Sequence, residues 1–551
     1  MKRFSFLMAA LLVAMTGCQK DPQETENGSD AQTVGYVSLK ISLPKDAATK
    51  AEANDANNPI YNGGLEEEYN VEDITVVFFD ADGKFVYKTS VSEEIMQKQA
   101  NGGAVSATGK TDAIEVKTSE STLYALVLIN SVNSHPYDDA ITCFEDYNYV
   151  INEANAKMFT GSDRNYFYMS NAPYYEAGEF KTLVPVNVQT TQEAAKGSPA
   201  HVNVERAVSK VSVRYEHSLH VQEPTNDLGD IARVAGWNLD IKNTVLYPVR
   251  NCYDNHGVNN DWYWNNALLS SIWDGKRVHM AIDPNYDRVF SDDENELSYQ
   301  AWQVTFERAI DDDLTLVDME SSVAYCLENT FNINCMRKNQ TTSVVLKVQY
   351  TPVVEDDDIV AKGETWFMVG ESQRRMSQYK LADVLNQKVI EYCQKHNLTP
   401  IDEILNYYED CDDFIAGNNG ERIEVIVSLD NNAYHTVKLS ELLGEVVCYK
   451  NGFCYYSIPI RHFNDEELGY DSSDEFFESF GQEIVGYKPQ HLGRYGVVRN
   501  NWYSVTINSI SNPGSPVIPT PGNTPDDETK QYVSCDINIL AWRLRGQIVD
   551  L

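Results

Sequence analysis

Two short stretches of strict period-two alternation stand at opposite ends of this 551-residue chain, each set apart from the residues between them. Near the start, Val37, Leu39, Ile41 and Leu43 alternate with Ser38, Lys40 and Ser42, and Pro44 stops the run. That period predicts a half-buried β-strand. Near the end, Val533, Cys535, Ile537 and Ile539 alternate with Ser534, Asp536 and Asn538. At Ala541 the phase changes, and Trp542 and Leu544 continue on the other parity, which predicts a strand, a kink or bulge, and a second strand. A polar run, 45–59, follows the first stretch; a Pro- and Gly-rich run, 511–525, precedes the second and reads as an extended linker by composition. A strand isolated by such segments has no local partner for its apolar face. It has to complete a sheet elsewhere.

Between them the chain reads as a succession of strands. Ile74 to Phe79, a turn at Asp80-Ala81-Asp82-Gly83, and Phe85 to Tyr87 form a hairpin. Leu123 to Ile129 is continuously apolar and predicts a buried central strand; Val184 to Val188 and 202–215 follow, with helix expected within 141–169. A second strand-rich unit covers 238–247, 301–306, 342–350, 422–429, 453–460 and 502–510. One region departs. Leu381, Val384, Leu385, Val389 and Tyr392 sit at helical spacing, and Ile401, Ile404, Leu405 and Tyr408 repeat it, with Thr399 as a cap before Pro400. The spacing predicts a helical insertion near 376–415, laid over the surface of a β domain. The expected fold class is therefore mainly all-β.

The N-terminus predicts export. Lys2 and Arg3 precede an apolar stretch from Phe4 to Met15, too short to span a bilayer, where about 20 apolar residues are needed. Met15-Thr16-Gly17-Cys18 resembles a bacterial lipobox, which makes Cys18 the candidate lipidated residue. The formal charge is −38, from 44 Lys plus Arg against 82 Asp plus Glu. Such a field repels phosphate backbones and anionic lipid, so no nucleic-acid partner is expected, and membrane contact only through lipid on the precursor. Ten cysteines less Cys18 leave an odd number. Cys448 with Cys454, or Cys326 with Cys335, are near enough in sequence to pair; burial as small apolar side chains is the other reading.

No catalytic constellation stands out. The chain has no HExxH, no GxSxG, no phosphate-cradling glycine loop and no dinucleotide fingerprint. His462 beside Arg461 reads better as a hydrogen-bonded structural histidine than as a general base. Asp80 and Asp82 lack the later ligands of a calcium loop, so turn chemistry is expected there. The acidic runs 311–313 and 355–358 read as solvated turns. No catalytic residue, cofactor or metal is expected, and the chain does not read as an enzyme.

The isolated strands suggest a mechanism. Lys50-Ala51 is an accessible bond for a trypsin-like protease. If residues 35–43 complete the first sandwich, cutting there would release them and leave an apolar groove with unpaired N–H and C=O groups, open to strand addition. The tail 531–551 of another copy has the matching pattern. Four buried apolar side chains at about 1.5–3 kcal/mol each give roughly 6–12 kcal/mol as an upper estimate. Head-to-tail contact of this kind is open, and it makes filaments rather than closed rings.

Six stretches carry a family resemblance: VSLKISLPKDAATKAEA (37–53), NVERAVSKVSV (203–213), YCLENT (325–330), CYYSIPIRHF (454–463), YGVVRNNWYSVTINSI (495–510) and VSCDINILAWRLRGQIVDL (533–551). In order, and over nearly the whole chain, they resemble the fimbrillins of Bacteroidetes, the subunits of protease-mediated (type V) pili, and look closest to the short-fimbria major subunit family. The resemblance is weakest across 215–320 and 371–440; YGVVRNNWY is its most specific part. It implies a signal peptide at 1–18, a propeptide with the first strand at 19–50, and transthyretin-like β-sandwich domains at 51–210 and 211–510. A linker at 511–530 and donor strands at 531–551 would follow. It also implies palmitate at Cys18 in the outer membrane, cleavage between Lys50 and Ala51 by a trypsin-like surface protease, and donor-strand exchange into a cell-surface fimbria for adhesion and biofilm formation. Lys50 stands where the best-known relatives carry Arg, and a trypsin-like protease accepts either. The implied partners are further copies head-to-tail, anchor and tip pilins, that protease, and a host or bacterial surface ligand. A stalk role is favoured because linker and tail are present. The alternatives are a tip adhesin, with the 376–415 insert meeting a ligand, and a non-polymerising glycan-binding lipoprotein using Trp262 and Trp264.

Overall fold

The computed structural model describes residues 33–43, 66–101, 104–161, 165–176, 179–215, 229–251, 281–288, 305–310, 314, 323–355, 357–401, 411, 421–430, 433–463, 487, 491–522 and 533–541. Cys18, Lys50, Ala51, Trp262, Trp264, Trp542 and Leu544 lie outside them, as do the acidic run 311–313 and residues 402–410 of the second expected helix. Among the described residues no helix is long and apolar enough to cross a membrane.

The period-two pattern builds a first β-sandwich. One layer runs Phe85–Val91, Ile74–Phe79, Thr122–Ile129 and Met169–Asn171, each antiparallel to the next, with Val184–Asn187 also beside Thr122–Ile129. The other runs Ala200–Arg206, Leu39–Ser42, Ala104–Lys110 and Gln97–Asn101. Ala200–Arg206 joins the layers: its start pairs Leu39–Ser42 in parallel, and its end pairs Met169–Asn171 antiparallel. Thr122–Ile129 is the buried central strand that its apolar run predicts. In the Asp80–Gly83 turn, Asp80 Oδ1 accepts the amides of Asp82 and Lys84, both at 2.9 Å, so its carboxylate does turn chemistry. Phe144–Tyr147 and Ala156–Thr160 are the helices expected within 141–169.

Ala207 separates this sandwich from the next. Val208–Tyr215 pairs antiparallel with Val323–Leu327 and in parallel with Asn501–Ile510. The facing sheet is Ile231–Asp240, Ser343–Thr351 and Phe453–Pro459. Val211, Trp237, Leu346, Tyr456 and Val505 share the core between them. The strand expected over 238–247 ends early, at Asp240. Ile241 turns to φ +53°, and its carbonyl is held there by Asn329 Nδ2 and Thr342 Oγ1, which donate at 3.1 and 3.0 Å. Of the 301–306 strand, the described residues contain Phe306–Glu307.

The helical insertion differs most from expectation. Its helix is Gln378–His396, begun where Ser377 Oγ accepts the Lys380 amide at 3.2 Å and closed by Asn397 in the left-handed conformation. Leu381, Leu385, Val389 and Cys393 form the buried stripe. The helix does not lie over the sandwich surface; it walls a separate small core. Trp366–Val369, flanked by Arg374–Ser377 and Val446–Tyr449, and the hairpin of Glu424–Asp430 with Ala433–Lys438 supply the rest. Those strands come from both sides of the helix, a non-local pairing that periodicity does not report. Asp358, in the acidic run, accepts the Ser377 amide at 2.8 Å and so steadies the start of the helix.

A disulfide, Cys411–Cys448, closes this unit, with Cα atoms 5.5 Å apart. The pairings suggested by nearness in sequence are not made. Cys326, Cys335 and Cys454 are free and buried, because Cys448 and Cys454 lie in different sheets and Cys326 and Cys335 in different cores. Leu385→Ala is expected to cost about 2–5 kcal/mol of stability. Tyr379→Ala, at an 88% exposed position of the same helix, should stay within about 0.5 kcal/mol. Denaturant unfolding of the two variants checks both.

Candidate assembly site

The leading strand is not at an edge. Val37, Leu39, Ile41 and Leu43 are at most 2% exposed and belong to the first core. The chain changes partners at Ser38. Before it, Thr33–Val37 pairs antiparallel with Ile114–Thr118; after it, Leu39–Ser42 lies between Ala200–Arg206 and Ala104–Lys110. Ser38 Oγ donates to the Thr111 carbonyl at 3.0 Å, the Leu39 amide to Thr111 Oγ1 at 3.0 Å, and the Ala200 amide to the Ser38 carbonyl at 2.9 Å. The Thr111 amide donates to Leu39 at 2.9 Å, and the Leu43 amide to Ala107 at 3.0 Å. Withdrawing this strand would part a sheet in its middle, exposing two unpaired edges and one apolar trough.

The tail strand, Val533–Ala541, lies antiparallel to Asn501–Ile510, on the outer edge of the second sandwich. Its register sets Cys535, Ile537 and Ile539 opposite Ile507, Val505 and Tyr503. The two alternating strands therefore sit in different sandwiches, and within one copy they do not meet.

A buried seam of charge joins the sandwiches. Glu68 and Lys210, at most 1% exposed in their side chains, form an ion pair at 2.6 Å, and the Tyr325 hydroxyl donates to the same carboxylate oxygen at 2.6 Å. Arg206 Nε and Nη2 donate to the Glu68 carbonyl at 3.2 and 3.0 Å. Beside it, Arg499 Nη2 bonds Glu328 and the Tyr247 carbonyl, both at 2.7 Å, and Arg250 grips Glu205 with two bonds of 2.9 Å. Asn500, at φ +61°, turns its amide to the Val208 carbonyl at 2.8 Å and its Oδ1 to Arg206. Asparagine tolerates that left-handed conformation.

These charges lie in three of the stretches that carry the family resemblance, yet none of them reads as buried from its local pattern alone: NVERAVSKVSV supplies Glu205, Arg206 and Lys210, YCLENT supplies Tyr325 and Glu328, and YGVVRNNWY supplies Arg499 and Asn500. One residue carries a signal. Arg206 falls on the apolar parity set by Val202 and Val204, whereas Glu205 and Lys210 keep the polar parity of their runs and read as solvated. Burial pushes the Glu68 carboxyl up, but Lys210, Arg206 and Tyr325 outweigh it and hold it below the ordinary 4.5. For Glu205 burial wins over Arg250 and Arg499, and its value is raised.

His462 is structural: it is buried, and its Nδ1 lies 2.7 Å from the Tyr503 hydroxyl, which also accepts the Val498 amide at 2.8 Å. Among the described residues no group of three or more His, Cys, Asp or Glu is placed to hold a metal.

Two outcomes follow from the seam. Lys210→Met should cost about 3–5 kcal/mol by removing the ion-pair partner of the buried Glu68 carboxylate, and adding Glu68→Gln should recover much of it, as a double-mutant cycle by denaturant unfolding will read. Because its folded value is lowered, Glu68 contributes stability that is complete above pH 4.5 and lost as pH falls through that lowered value. The Tm difference between wild type and Glu68→Gln should therefore hold from neutral pH to pH 4.5 and shrink below it.

The family model described as major fimbrial subunit protein (FimA) matches residues 36–206, and that described as major fimbrial subunit protein type IV, fimbrillin, C-terminal, matches residues 481–547. No curated protein matches the chain. Among solved structures, a fimbrilin from Porphyromonas gingivalis is 12% identical, over 93% of this chain and 98% of that one, with a TM-score of 0.39. A protein described as a cell adhesion protein from Parabacteroides distasonis is 12% identical, over 93% and 100%, with a TM-score of 0.35. A C-terminally truncated tip fimbrial protein from Porphyromonas gingivalis is 11% identical, over 59% and 85%, with a TM-score of 0.26.

Proposed function

We propose that this chain, which carries fimbrillin signatures at both of its ends, is a stalk subunit of a cell-surface fimbria, built by donor-strand exchange. The observation that carries this reading is the position of Leu39–Ser42 in the middle of a sheet, tied onward to the fold through the segment that contains Lys50-Ala51. The precursor is exported and lipidated at Cys18, which holds it at the outer membrane. A trypsin-like surface protease hydrolyses the Lys50-Ala51 bond. The strand carrying Val37, Leu39, Ile41 and Leu43 is then held by non-covalent contacts alone, and once it departs it diluted away. The trough it leaves takes the tail of another copy, with Val533, Cys535, Ile537 and Ile539 in place of the four lost side chains and Trp542 and Leu544 continuing the contact.

Loss of the leader leaves the seam whole, because Glu68 lies beyond Ala51 and its partners belong to the mature chain. The subunit that accepts a donor therefore keeps its two sandwiches locked. Repetition of the contact gives an open fibre, capped by tip pilins and held by anchor pilins, that serves adhesion and biofilm contacts.

The test uses protein lacking residues 1–18 and limited trypsin, with products run unboiled on an SDS gel. The expected result is a new N-terminus at Ala51 together with a detergent-resistant ladder. Replacing both Lys45 and Lys50 by Ala should abolish both, and a chain ending at Gly522 should be cut yet remain monomeric. Monomers from the complete, cut chain, or a ladder from the chain ending at Gly522, would contradict the proposal.

A further inference from the structure

We infer that residues 511–522 are a docked strap that fixes where the donated tail leaves the subunit and so sets the spacing and stiffness of the fibre; this rests on the donor-strand reading above. Composition marks the segment as a free linker, with Pro513, Pro516, Pro519 and Pro521 among its twelve residues. It is held along its length instead. The Asn512 carbonyl accepts the Tyr456 hydroxyl at 2.7 Å, and the Gly514 carbonyl the Tyr449 hydroxyl at 3.1 Å. Ser515 and Tyr455 exchange backbone bonds of 2.8 and 2.9 Å. Further on, Arg308, Asn339 and Gln340 donate to the carbonyls of Pro519, Thr520 and Gly522 at 2.7, 2.9 and 2.9 Å, and the Gly522 amide returns a bond to Lys338 at 2.9 Å.

Two side-chain positions make this a fitted contact. Ile518 packs against the buried cluster of Ala309, Leu314, Val345 and Tyr455. Gly514 passes so close that a Cβ there would stand 2.4 Å from the Tyr455 carbonyl oxygen. The prolines hold their φ near −65° in the free chain as well, so little backbone freedom is lost on docking.

The consequence is a short reach. From Gly522 to Val533 there are eleven residue steps, at most about 40 Å when extended at roughly 3.3–3.6 Å each. Counted from Ile510, an undocked chain would have twenty-three steps and about 80 Å. Docking thus shortens the tether between the second sandwich and its tail to about half. Tension along the fibre would enter the second sandwich at Gly522, through contacts from three separate segments of chain. Ile518, Gly514 and Tyr456 are positioning residues in this scheme.

The test compares wild type, Ile518→Asp combined with Gly514→Val, and the milder Tyr456→Phe, each as complete chain matured by trypsin. Amide exchange at Ser515 and Gly522 reports docking, and electron micrographs give axial repeat and persistence length. The expected result is a ladder from all three, protection at both amides in wild type, and its loss by at least about tenfold in the double variant. Fibres of the double variant should have a longer, less regular repeat and a several-fold shorter persistence length, with Tyr456→Phe displaced in the same direction by less. Loss of protection with an unchanged repeat and stiffness would overturn the strap's role, as would fast exchange at both amides in wild type. Absence of a ladder from wild type would instead defeat the donor-strand reading, and the strap would then have no donor to position.

Discussion

A strand in the middle of a sheet cannot leave without consequence. At an edge, departure exposes one row of backbone groups that water can satisfy; in the middle it also opens the core beneath. Leu39–Ser42 is bonded on both sides and contributes two of the four buried leading side chains, Leu39 and Ile41, to the first core. Everything proposed for assembly follows from that placement. The fold is complete while the strand is present and acquires a strong, directional demand for a replacement when it is gone. A filament needs such a demand to be switched on after export, and a peptide bond in the following segment is a suitable switch.

The seam would let a domain that gave up a central strand keep its place. Buried ion pairs are poor sources of net stability, because desolvation offsets the attraction, but breaking one partner is costly. Glu68, Lys210, Arg206 and Tyr325 are satisfied by one another, so a shifted docking of the sandwiches would strand buried charge. The strap has the same logic at the other end of the molecule. A segment whose composition resists regular structure is held by hydroxyl, amide and guanidinium donors aimed at its carbonyls.

Much of this was legible in the residues. Alternation located the leading strand and the tail strand, and a continuous apolar run located Thr122–Ile129, because a half-buried or wholly buried strand leaves a local pattern. The buried helix stripe was legible for the same reason at a different period. What escaped was non-local. The small core around the helix depends on Trp366–Val369 pairing with Val446–Tyr449, and the disulfide depends on Cys411 meeting Cys448. The strand end at Ile241 depends on donors from Asn329 and Thr342. The seam escaped because a charge in a strand reads as solvated until its partner, far along the chain, is known. The strap escaped because composition reports freedom of the isolated chain, whereas docking depends on receptors built elsewhere.

The central claim is that one strand leaves the middle of the first sandwich and another takes its place. Amide exchange at Thr111 and Ala200 reads this directly, since both donate to the leading strand, at 2.9 Å, to Leu39 and Ser38. The account predicts strong protection in the uncut chain, loss of protection in cut protein that ends at Gly522, and restored protection in the assembled fibre. Protection that survives cutting when no tail is available, or that fails to return in the fibre, would contradict it.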